Sequence, residues 1–84
     1  MRPDEMKSIL DQRPFVPVRL HMTNGETVDV THPEAAVVTK SAVFLGTGID
    51  ERGVADRIIW YNLVHIVKVE QLSGEGRNGS KRSA

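Results

Sequence analysis

The chain has 84 residues, 11 basic and 11 acidic, with three histidines and no cysteine. That is room for one small domain, and it excludes disulfides, a thiolate metal cage and a thiol nucleophile. Residues 1–72 carry eight Lys/Arg against ten Asp/Glu, and 73–84 carry three against one. A mildly acidic body with a mildly basic tail has no broad cationic footprint for duplex nucleic acid. No apolar run is long enough to cross a bilayer, and MRPDEMKSIL is too polar for a secretion signal, so a cytoplasmic protein without membrane contact is expected.

Residues 3–12, PDEMKSILDQ, read as a short helix. Pro3 suits a first helical position, and Asp4 and Glu5 sit at the positive helix end. Met6, Ile9 and Leu10 share one face, which must cover something apolar because so short a helix is unstable alone. Pro14 ends it. The next stretch, FVPVRLHM, alternates, with Val16, Val18, Leu20 and Met22 on one side. Beyond the turn, Val28 and Val30 fall together. A two-residue Asn-Gly loop would set Leu20 against Asp29. A three-residue loop, Thr23-Asn24-Gly25, pairs Leu20 with Val28 and Val18 with Val30 and keeps one apolar face. That loop is preferred, with Gly25 left-handed. Pro17 donates no ladder bond and suits an edge, a bulge or a strand start.

His32-Pro33-Glu34 interrupts the strand pattern, so 33–38 is expected to be a single helical turn or a bent continuation. A third strand follows over 41–45, broken by Gly46-Thr47-Gly48. IDERGVAD (49–56) reads as a loop or hairpin tip, 57–61 as a fourth strand and 64–70 as a fifth. The tail, 73–84, has nothing to bury and is expected to be a flexible basic segment. The fold class is therefore mainly β: one N-terminal helix, then a five-stranded, strongly bent antiparallel sheet. Such a sheet closes into a small barrel over 1–72 or exposes two edges. Its core is drawn from the bulky residues Phe15, Leu20, Phe44, Leu45, Ile58, Ile59, Trp60, Tyr61, Ile66 and Val69.

On these elements the chain resembles the Sm-like family of small SH3-like barrels. VPVRLHMTNGETVDV (16–30) is similar to the opening strand pair of its bacterial Hfq members, and DRIIWYNLVHIVKV (56–69) to their closing pair. The resemblance implies a ring-forming homo-oligomer that binds single-stranded RNA or a protein partner. The family's Tyr-Lys-His-Ala stretch falls on Tyr61-Asn62-Leu63-Val64, so its lysine and histidine are replaced by Asn62 and Leu63. PFVPVRLHMTNG and VTHPE are also similar to short bacterial proteins, a likeness that carries no activity.

Candidate nucleic-acid contacts are Arg19, Arg57, Asn62, His65 and Lys68, with Trp60, Tyr61, Phe15 and Phe44 as stacking surfaces. Both faces of 57–61 are apolar, Ile58 beside Trp60 and Ile59 beside Tyr61. One packs the core, and the other meets the helix, a subunit or a ligand. A subunit is the preferred explanation, with Ile59, Tyr61, Val64 and Ile66 assigned to the interface. His21, His32, His65 and Glu34 are zinc-capable types at spacings that match no compact motif, so no metal or other cofactor is assigned. Gly46 and Gly48 lack the helix and lysine of a phosphate loop, and there is no nucleophile motif. No catalytic residue is assigned and the chain is not expected to be an enzyme.

Three readings compete: an oligomeric barrel that binds RNA or protein, an interaction module with no nucleic-acid role, and a small ligand-binding enzyme around His32 and Glu34. An RNA binder should gather Arg19, Arg57, Lys68 or the tail basics around one mouth. A protein-interaction module should show an apolar patch without that surround.

Overall fold

A computed structural model describes residues 1–72; the expected flexible tail, 73–84, lies outside the described residues. One helix, α1 (Pro3–Leu10), is followed by six strands: β1 (Val18–Met22), β2 (Thr27–Val30), β3 (Ala36–Val38), β4 (Ala42–Thr47), β5 (Arg57–Asn62) and β6 (Ile66–Gln71). Two 3-10 turns, Pro33–Ala35 and Leu63–His65, interrupt the path from β2 to β3 and from β5 to β6. Pro3 opens α1, and Glu5 turns back to accept the Arg2 N–H at 2.9 Å. Met6 and Leu10 are buried and Ile9 packs beside them, the stripe expected from their spacing.

The first hairpin has the three-residue loop. Met22 N–H donates to the Glu26 carbonyl at 2.9 Å, Val18 faces Val30 and Leu20 faces Val28. Gly25 takes φ +90°, which an L side chain rarely adopts. Pro17 stands just before β1, where its carbonyl accepts the Leu72 N–H and no proline N–H is needed.

The strands form two antiparallel sheets, β2-β1-β6 and β3-β4-β5. Neither closes on itself or on the other among the described residues. The expectation of one five-stranded sheet bent into an Sm-like or SH3-like barrel is corrected accordingly, to six strands in two sheets. The cause is local. At each corner a 3-10 turn directs the chain's carbonyls into i→i+3 bonds, as in Ala35 N–H to His32 O, and the ladder stops there. The third strand expected over 41–45 is β4. The segment before it contributes β3, a strand of only three residues that pairs Ala36 with Leu45, Val37 with Phe44 and Val38 with Val43.

The inner faces of both sheets and α1 share one core, with Met6, Val18, Leu20 and Val43 fully enclosed. Each such side chain contributes about 1.5–3 kcal/mol by leaving water. From β5 the inward residues are Ile59 and Tyr61, both half-buried against that core. Phe44, Ile58 and Trp60, expected inside, belong to the outer face of the second sheet. Leu63, Met6 and Met22 fill the interior instead.

Candidate functional site

The register of the second sheet aligns one residue from each strand in a row: Val37 opposite Phe44, and Phe44 opposite Trp60. Side chains directly opposite in an antiparallel ladder point to the same side and touch. The Phe44 and Trp60 rings stack at a centroid distance of 5.7 Å with 26° between planes. Ile58 lies two residues before Trp60 on that face. Ile58 is 67% exposed, Trp60 57% and Val37 61%, large values for side chains of this kind. Gly46 continues the row beside Ile58. A Cβ there would sit 3.0 Å from that of Ala55 and 3.3 Å from that of Ala35, so its bareness lets the 49–56 loop close over this corner. The positions of β3–β5 that alternate onto this face are Val37, Ala42, Phe44, Gly46, Ile58, Trp60 and Asn62, of which Ala42 is itself buried and none is charged.

The five residues expected to contact nucleic acid are divided among three places. Arg19 and Lys68 lie on the outer face of the first sheet. There Arg19 forks onto Asp29, with Nε to Oδ1 at 2.7 Å and an NH2 group to Oδ2 at 3.1 Å. His21 Nε2 meets Glu70 Oε1 at 3.0 Å on the same face. The hydrogen bond from Arg19 holds the Asp29 carboxyl below the usual range, and that from His21 does the same for Glu70. Arg19 and His21 are thus each paired with an acid, while Lys68 makes no ion pair among the described residues. Asn62 and His65 line a separate open cleft of about 250 Å³ with Thr23, Asn24, Glu26 and Tyr61. Arg57 stands at the far end of β5, opposite Thr47.

Of the residues assigned to an interface, Ile66 is buried in the core, Ile59 and Tyr61 pack half-buried against it, and Val64 is exposed. Of β5 itself, the apolar side left exposed is the opposite one, with Ile58 and Trp60. His21, His32 and His65 do not converge; His32 Nδ1 sits 2.9 Å from the Thr31 hydroxyl. No group of three side chains able to hold a metal occurs among the described residues. No helix there is long and apolar enough to cross a membrane.

Comparison with family models, curated proteins and solved structures finds no match. The Sm-like resemblance does not survive this. Neither sheet closes, no family model or solved structure agrees, and the basic residues fail to gather around one mouth. The ring-forming oligomer and single-stranded RNA binding that the resemblance implied are withdrawn with it. The sequence names Phe44 and Trp60 both as core residues and as stacking surfaces, and it is the second role that their exposed face permits; Val37 joins them only through the β3–β4 register, which no local pattern reveals.

Proposed function

We propose that this chain is a non-catalytic protein-interaction module whose partner covers the outer face of β3-β4-β5. The observation that carries the reading is the uncharged row Val37–Phe44–Trp60 with Ile58 beside it, exposed on a sheet whose other side already packs the core. Exposed apolar surface of this kind costs solubility and marks binding sites, and tryptophan is among the residues most enriched at the energetic centres of protein interfaces. The distribution of charge points the same way. Arg19 is paired to Asp29 on the other sheet, and the cations of the described residues do not surround the aromatic pair.

The test is site-directed photo-crosslinking in the cells that make the protein. A benzophenone side chain is placed at Ile58, or at Thr27 on the outer face of the first sheet. Position 58 is expected to yield a discrete protein adduct that resists nuclease, and position 27 none. Adducts that vanish with nuclease, or equal adducts from both positions, would sink the proposal.

A further inference from the structure

The outer face of β5 ends at a free strand edge, and that edge is unguarded. Among the described residues β5 pairs with β4 alone. Leu63 N–H donates to the Ser41 carbonyl at 2.8 Å, one step beyond the Ala42–Asn62 pair. In an antiparallel ladder bonded pairs alternate, so Arg57, Ile59 and Tyr61 exchange hydrogen bonds with β4. Ile58, Trp60 and Asn62 therefore turn their N–H and C=O groups away from the sheet, and none makes another backbone bond among the described residues. The same residues carry the exposed side chains of the apolar face.

Sheets normally protect such edges by shortness, charge, proline or a bulge. The other three edges here each carry a device. β2 has four residues and bears Asp29; β3 has three, between Pro33 and Lys40; β6 bears Lys68 and Glu70 and a register irregularity opposite His21 and Met22. β5 runs six residues with none from Ile58 to Asn62, and its one charge, Arg57, makes no ion pair among the described residues.

We infer that β5 is completed by an extended segment of another protein, added as a further antiparallel strand. The inference rests on the protein-interaction reading and names its mode. The incoming strand exchanges backbone bonds with Ile58, Trp60 and Asn62. It sets aliphatic side chains beside Ile58 and Trp60, and near its C-terminal end it places an acidic residue opposite Arg57.

The probe is a capped peptide, Thr-Thr-Val-Val-Thr-Val-Asp, whose second, fourth and sixth residues face the edge. N-methylation there removes the donors without changing a side chain, whereas N-methylation at the third and fifth residues removes only outward donors. Binding is followed by the fluorescence of the single tryptophan and by exchange of the Ile58 and Trp60 amides with deuterium. The unmodified peptide and the outward-methylated one should bind alike and protect both amides. The inward-methylated one should bind at least ~tenfold more weakly, the loss of two or three modest hydrogen bonds. Ile58→Lys, at an exposed position that leaves the core intact, should abolish binding. Equal binding of both methylated peptides would overturn strand addition and leave the apolar-face reading standing. So would failure of the unmodified peptide while the crosslink at position 58 still forms. Protection of the same amides by self-association of the pure chain would assign the edge to a second copy and overturn a foreign strand.

Discussion

Asp29 shows how a single residue ties the polar face of the first sheet to pH. It lies directly opposite Arg19 in β1, in one of the non-hydrogen-bonded pairs where side chains approach most closely. That proximity permits the two-pronged ion pair, and the pair lowers the carboxyl from its ordinary value of 3.8. The native carboxyl binds a proton less readily than the unfolded one. Its contribution to stability is therefore complete above the ordinary value and disappears as pH falls through the native one. Both side chains are about 40% exposed, so solvent screening keeps the effect small. Glu70, lowered by its hydrogen bond from His21, acts with the same sign. Asp29→Asn should leave a flatter profile of stability against pH in the acid range than the natural chain, measured by urea unfolding at pH 6, 4 and 2.5. Identical slopes would show that the ion pair contributes nothing in solution. In the 49–56 loop the depression of Asp50 has another origin. Its carboxylate accepts first the Val54 backbone N–H at 2.9 Å, then the Arg52 guanidinium at 2.9 Å and the Arg52 backbone N–H, and so shapes the tip as a local turn.

At the scale of elements, the readable parts of this chain are those where one local rule suffices. The Met6/Ile9/Leu10 stripe needs only the helical period. The Thr23-Asn24-Gly25 loop needs only the demand that Leu20 and Val28 share a face. In the His-Pro-Glu segment proline's missing donor suffices to predict the turn at 33–35, but not that 36–38 goes on as a strand of the second sheet. β5 defeats that method, because Ile58/Trp60 and Ile59/Tyr61 satisfy a period of two equally well. Its inner side is chosen by tertiary packing, where Tyr61 and Ile59 meet the core built around Val43 and Leu45. The closure of the sheet was equally out of reach, since a corner can bend a ladder or break it with the same residues. The face assignment is testable in the natural background. Ile58→Ser and Ile59→Ser remove the same side chain from neighbouring positions. The first should change stability by no more than about 0.5 kcal/mol, as exposed substitutions usually do. The second should cost about 1–3 kcal/mol, since it removes aliphatic surface packed on the core and leaves a hydroxyl there. Equal losses in denaturant midpoint would mean that β5 is covered on both sides.

For the whole molecule, the consequence of two open sheets is that neither can stand alone. Strands of three to six residues, three to a sheet, need their apolar face covered to be stable in water. Here each sheet is the cover of the other, and α1 closes the gap with Met6, which is fully enclosed. Leu63 N–H to Ser41 extends the β4–β5 ladder and Thr23 N–H to the His65 carbonyl, at 2.9 Å, extends the β1–β6 ladder, so the two sheets meet through the Leu63–His65 turn and the common interior. Cooperation between the sheets therefore rests on side-chain packing rather than on a continuous ladder. Trp60 reports on the second sheet alone, whereas far-ultraviolet circular dichroism reports on both. The two signals should give one coincident urea transition, since loss of either sheet strips the other of its core. Val18→Ala in β1 and Val43→Ala in β4 remove similar, fully buried side chains from opposite sheets. Each should lower the midpoint of both signals together, by a loss of about 1–3 kcal/mol for the deleted methyl groups and the cavity left behind. If Val18→Ala shifted the dichroism while leaving the Trp60 transition in place, the sheets would be independent units. The shared core would then not be what joins them.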